Sequence, residues 1–206
     1  MHMESLNDQP ANKTPRFIYI AALLLVTVFY RLFASQTDWL GNTSPLMAIA
    51  FGGGMLLGRR FWWTPAALLI VSDIFLALYN GWGLGSHLLY TLPFYVIVSL
   101  AGAGFARRQN WGGMLVGTLA ASFLFYLVAN TFAWAGSPAY AHNFSGWLQS
   151  QSSGLPGFPP SWTFLRNAIV ADTIWCLIAA PLFFSKTLAL PSRESLSIKR
   201  EPVLFS

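Results

Sequence analysis

The chain has 206 residues, 55% of them hydrophobic and only 9% charged, with a formal net charge of +5. An average soluble domain carries roughly a quarter charged residues, and a single core of this size could not hide so much apolar surface, so the composition argues against a soluble globular protein. The positive charge does not point to nucleic acid, because the basic residues are short doublets at the edges of apolar runs with no basic stripe or recognition motif. The lone cysteine, Cys176, excludes an intramolecular disulfide and leaves no basis for a Cys-based metal site.

In chain order, residues 1–15 are polar, hold Pro10 and Pro15, and read as a disordered tail. A first helix is predicted from Arg16 to Ala34. It is preceded by basic residues but followed by no small-residue cleavage site, so it reads as a retained helix and not a signal peptide. Ser35–Pro45 is a polar loop. The second helix, Leu46 to Gly58, is shorter than the about 20 residues that cross a bilayer core. Its small-residue ladders, Ala48/Gly52 and Ala50/Gly54/Gly58, suit close packing inside a bundle.

A third helix is predicted from Phe61 to Tyr79, with Pro65 in its first turns, where proline is tolerated. The connection Asn80–Ser86 is glycine-rich and uncharged. The fourth helix, from His87 or Leu88 to Ala106, contains Pro93 and should kink there. A fifth runs from Gly112 to Trp134. Residues 135–163 form a long segment without Lys, Arg, Asp or Glu; its prolines and aromatics suggest a folded cap more than a tether. The last helix is predicted from Phe164 to Ser185, and 186–206 is a polar tail. The domain plan is therefore a tail (1–15), a six-helix unit (16–185) and a second tail.

Ten of the twelve Lys and Arg residues fall in four clusters: Lys13/Arg16, Arg59/Arg60, Arg107/Arg108 and Lys186/Arg193/Lys199/Arg200. Alternate connections carry them and the others carry none. The positive-inside bias then predicts an all-α, six-transmembrane-helix bundle with both termini cytoplasmic, its basic edges facing anionic headgroups.

Ionisable residues within membrane helices usually face a bundle interior or a wet cavity. Four fit that description: Arg31, Asp73, Arg166 and Asp172. At 1.5 Å rise per residue, Asp73 lies ~18 Å from the inner end of its helix and Asp172 ~12 Å from the outer end of its own. All four therefore fall in the outer half, at the level of Asn42, Asn80, His87, Asn130, Trp134 and Asn167. One reading is packing: Arg31 snorkels, and the aspartates pair with an Arg or with Ser and Thr hydroxyls. The other is a polar pocket open to the outside. Enzyme signatures are weak: there is no HExxH, no Walker A and no nucleophile with a His and Asp around it. A metal site would need more ligands at depth, and no cofactor is indicated. Gly52-Gly53-Gly54 sits in an apolar run without a nearby lysine and is not a phosphate loop.

Asn42-Thr43-Ser44-Pro45 leading into Ala48-x-Ala50-Phe51-Gly52-Gly53, then Ser72-Asp73, Asn130-x-x-x-Trp134, Gly154-Leu155 and Asp172 make a set that resembles an uncharacterised family of small bacterial inner-membrane proteins. That family is usually described as similar to the substrate-binding S components of energy-coupling-factor (ECF) vitamin transporters. The resemblance covers roughly residues 17–185. It implies six helices, capture of a small molecule from outside beneath closing loops, and release driven by a membrane coupling subunit with two ATPases. S components often carry an Ala-x-x-x-Ala docking surface on the first helix; here Ala21-Ala22 has no alanine four positions on.

The leading expectation is a substrate-capture protein, not an enzyme. Asp73, Arg166 and Asp172 would set the field of its cavity, Asn42, Asn80, Asn130 and Asn167 would hydrogen-bond a small polar solute, and Trp134 would form an apolar wall. The alternatives are a structural or assembly protein of the membrane, in which the same groups fix helix register, and an intramembrane enzyme, which needs a second catalytic group within reach of an aspartate.

Overall fold

The computed structural model describes residues 14–37, 40–41, 43–81, 83–108 and 110–184. Within them the chain is all-helical: α1 (Thr14–Ala34), α2 (Leu46–Leu57), α3 (Thr64–Asn80), α4 (Leu88–Gly104), α5 (Trp111–Gly136), α6 (Phe144–Gln151) and α7 (Ser161–Phe184). The six long helices match those expected from the sequence to within a few residues. The addition is α6, a two-turn helix inside the 135–163 segment, begun by Asn143, whose side chain accepts from Gly146 N at 2.9 Å. The basic tail cluster from Lys186 onward lies outside the described residues, as do Lys13 and the first thirteen residues.

Local chemistry sets the boundaries. Gly58 and Gly81 end α2 and α3 with φ near +70°, a conformation open to glycine at no steric cost. Asn110 opens α5 by accepting from Gly113 N. Short 3-10 turns at Arg59–Phe61 and Ala106–Arg108 place Arg59, Arg60 and Arg107 at one end of the bundle. The opposite end holds the C-termini of α1, α3 and α5, the N-termini of α4 and α7, and α6. We refer to these as the arginine end and the cap end.

The centre of the bundle is α2, which touches α3, α4, α5 and α7. A helix apolar on every side belongs in an interior, and eight of its twelve residues are buried, Leu46, Phe51 and Met55 among them. Its glycines decide how close the neighbours come. A Cβ on Gly54 would strike the backbone of Ser99 and Ala103 on α4, and one on Gly102 of α4 would strike the backbone of Phe51. The two helices therefore pack backbone to backbone, as the small-residue ladder predicts. On the far side Met114 and Phe51 fill the space beside Gly52 and Gly117.

Small polar groups share the interior with this apolar core, while many large apolar side chains lie on the outside. Thr27, Ser72, Asp73, Thr91, Ser99, Thr118, Ser122 and Asp172 are buried, while Phe29, Phe33, Leu78, Leu89, Ile97, Val116, Leu177 and Ile178 are more than half exposed. Two helices, α5 and α7 through Pro181, are long and apolar enough to cross a membrane; Ala22–Ala34, α2, α3 and α4 are shorter apolar helices.

Candidate functional site

Two polar clusters lie inside the bundle. The first joins α1, α3 and the turn before α4. Arg31 Nη1 stands 2.6 Å from Asp73 Oδ1 and also donates to Ser72 Oγ. The approach to Oδ1 lacks hydrogen-bond alignment, but charge attraction depends on distance and survives it. His87 Nε2 lies 2.9 Å from the other carboxylate oxygen, Oδ2. Asp73 is 6% exposed, Arg31 18% and His87 46%. The buried carboxylate is thus held between a guanidinium on one side and an imidazole open to the surroundings on the other. Arg31 does not snorkel to the end of its helix; it turns inward to α3.

The second cluster lies on the α5–α7 seam. Asp172 is 2% exposed, and Ser122 donates its hydroxyl to Oδ2. A cavity of about 20 Å³ opens beside it, lined by Ser44, Met47, Tyr95, Ser122, Phe125, Ala168 and Asp172. That volume holds about one water molecule, far less than the ~300 Å³ or more of a pocket enclosing a small organic ligand. Tyr95 of α4 lines this cavity. Asp73 and Asp172 do not share a hydrogen bond, so they form no coupled carboxylate pair.

The other predicted residues lie apart from the cavity. Asn80 Nδ2 donates to Leu76 O and Asn130 Nδ2 to Tyr126 O, each one turn back on its own helix. Trp134 Nε1 donates to Ala141 O, within the cap segment, at 2.9 Å. Arg166 is exposed, donates to Asn167 Oδ1 at 3.1 Å and stacks 5.5 Å from the Trp162 ring centroid. Asn167 Nδ2 donates to Gly41 O at 3.0 Å, tying α7 to the loop before α2. Asn42 lies outside the described residues. Of the seven predicted residues that are described, only Asp172 lines the cavity. Ser44, Tyr95, Ser122 and Phe125 were not foreseen. The signal that could have found Ser122 is its spacing of four from Thr118 on an otherwise apolar helix, which makes a hydroxyl face.

The cap is fastened to α5. Trp147 Nε1 donates to Thr131 Oγ1 at 3.0 Å, Gln151 Nε2 reaches Leu127 O and Thr131 Oγ1, and Tyr126 donates its hydroxyl to Gln151 O. Gln149 Nε2 closes the following loop on Gly154 O. Gly146 packs so tightly on Ala141 that a Cβ there would strike its backbone. Residues 137–160 are therefore a folded layer over the end of α5. Among the described residues no three His, Cys, Asp or Glu side chains come together as metal ligands.

These features define, among the described residues, an all-helical protein with two helices long and apolar enough to span a membrane and two separate buried carboxylates, Asp73 and Asp172. The chain belongs to the family described as "Family of unknown function (DUF6580)", whose profile matches residues 11–192. No curated protein and no solved structure matches it.

Proposed function

We propose that this is a six-span inner-membrane protein, with both termini cytoplasmic, that captures a small polar solute from the outer side. Support for the membrane setting comes from the large apolar side chains on the outside of the bundle. Leu89 is 81% and Leu78 76% exposed, and an apolar belt of this kind suits lipid and not water. The short α2 and α4 are accommodated by their mutual packing, and the arginine end would sit at the cytoplasmic surface.

The observation that carries the capture reading is Asp172. A carboxylate buried in a membrane bundle, with one hydroxyl on it and a cavity beside it, is costly unless used. On this reading the small cavity is the closed form of a larger site, entered when neighbouring segments move apart. The likeness to ECF S components belongs to this proposal: the solute would pass to a coupling subunit with ATPases, or move with an ion gradient. The small-residue surface on α2 is spent on α4, so docking to such a subunit would use another face.

A second reading, assembly, is favoured by one observation: Asp73 is fully occupied by Arg31 and His87, as a register-fixing group would be. Mass spectrometry of small molecules co-purifying with the detergent-extracted protein separates the two. A solute retained by the wild type and lost in Asp172→Asn supports capture. A wild type that carries no solute and binds none from a metabolite panel supports assembly.

A further inference from the structure

The described residues contain two carboxylates, Asp73 and Asp172. Both ion pairs among those residues end on Asp73; neither reaches Asp172. Asp172 has a single protein partner there, the Ser122 hydroxyl on Oδ2, and Oδ1 has none. An ionised carboxylate at this depth, without a counter-charge, costs several kcal/mol or more. The lining of the adjoining cavity offers what a positive group needs. Ser122 keeps free lone pairs after donating to Asp172. Ser44 Oγ accepts only one backbone N–H, that of Leu46 at 3.2 Å. Tyr95 and Phe125 add two aromatic rings to the wall, and aromatic faces attract cations most when water is excluded. The cavity's about 20 Å³ matches one water-sized group, the size of an ammonium head or a small monovalent ion.

We infer that the Asp172 cavity binds one small cationic group, held by the Asp172 carboxylate, the Ser122 and Ser44 hydroxyls and the rings of Tyr95 and Phe125. This rests on the capture reading and names its chemistry. The source is either the ammonium head of an organic solute or an inorganic monovalent ion.

The test uses the full-length protein in detergent. Equilibrium dialysis with radiolabelled sodium and with radiolabelled methylammonium measures binding, and melting is followed at constant ionic strength with tetraethylammonium as the oversized replacement. The expected result is saturable binding of one cation per chain, a raised melting temperature, and no response to tetraethylammonium. Methylammonium binding without sodium identifies a solute head group; sodium binding without methylammonium identifies an inorganic ion. Asp172→Asn should abolish binding while the protein still melts cooperatively, and Ser122→Ala should weaken it about tenfold to a hundredfold through loss of one charge-assisted hydrogen bond. If Asp172→Asn does not fold, Ser122→Ala and Ser44→Ala decide, and unchanged affinity in both overturns the inference. Absence of cation binding in the folded wild type also overturns it. If the protein then still retains a neutral solute in an Asp172-dependent way, capture stands and only the cationic assignment fails.

Discussion

The Arg31–Asp73 contact gives the most direct test of how the bundle is held at its cap end. Asp73→Leu leaves Arg31 with only the Ser72 hydroxyl. Removing one partner of a buried pair costs about 3–5 kcal/mol, and Arg31, at 18% exposed, can still draw in some water, so the lower figure of about 3 kcal/mol applies. Arg31→Leu should cost less, about 2 kcal/mol, because Asp73 keeps the imidazole of His87 at 2.9 Å. In Arg31→Leu/Asp73→Leu no charge is stranded, and apolar replacement of a buried pair is often neutral. The double variant should therefore lose no more than about 1 kcal/mol, giving a coupling energy near 4 kcal/mol, well above the additive limit for independent sites. Reversible unfolding in mixed detergent micelles measures all four proteins. Single-variant losses that simply add in the double variant would refute the pair as a structural tie.

Three further outcomes are expected. Gly54→Val and Gly102→Val each push a side chain into the facing backbone of α4 or α2 and should lose about 3 kcal/mol or more by overpacking, whereas Gly53→Ala, with open space around it, should be neutral; circular dichroism melts distinguish them. Tyr126→Phe combined with Gln151→Ala and Trp147→Phe removes the hydrogen bonds of α6 to α5, so limited proteolysis should cut residues 137–160 at least several-fold faster with little change in the melting of the rest. Cys176 is fully buried and should resist maleimide in the folded protein, so cysteines introduced one at a time can be mapped: Gly83→Cys and Ser153→Cys should react from outside intact cells, Arg59→Cys only after permeabilisation. Exterior labelling at Arg59 would reverse the proposed orientation.

Much of the architecture was legible from residue pattern. Helices in lipid-like surroundings need long apolar runs, and their ends are marked by glycine, asparagine and arginine, so six helices could be placed within a few residues. The ladder on α2 foretold a buried central helix because only glycine and alanine let backbones meet. The α6 turn was not legible: FSGWLQSQ is neither strongly apolar nor strongly periodic, and its helix depends on the Asn143 cap and on Thr131, Leu127 and Tyr126 of α5.

The sequence by itself determined which groups would be costly to bury, since charge and hydropathy are properties of each residue alone. It marked Arg31, Asp73, Arg166 and Asp172. Only the tertiary structure decided who meets whom. It turned Arg31 onto Asp73, left Arg166 exposed beside Trp162, and set Asp172 alone with Ser122 at a cavity shared with Tyr95. The reason is geometric: partners 42 or 50 positions apart are chosen by how helices rotate and pack against one another, which no local stretch of sequence fixes.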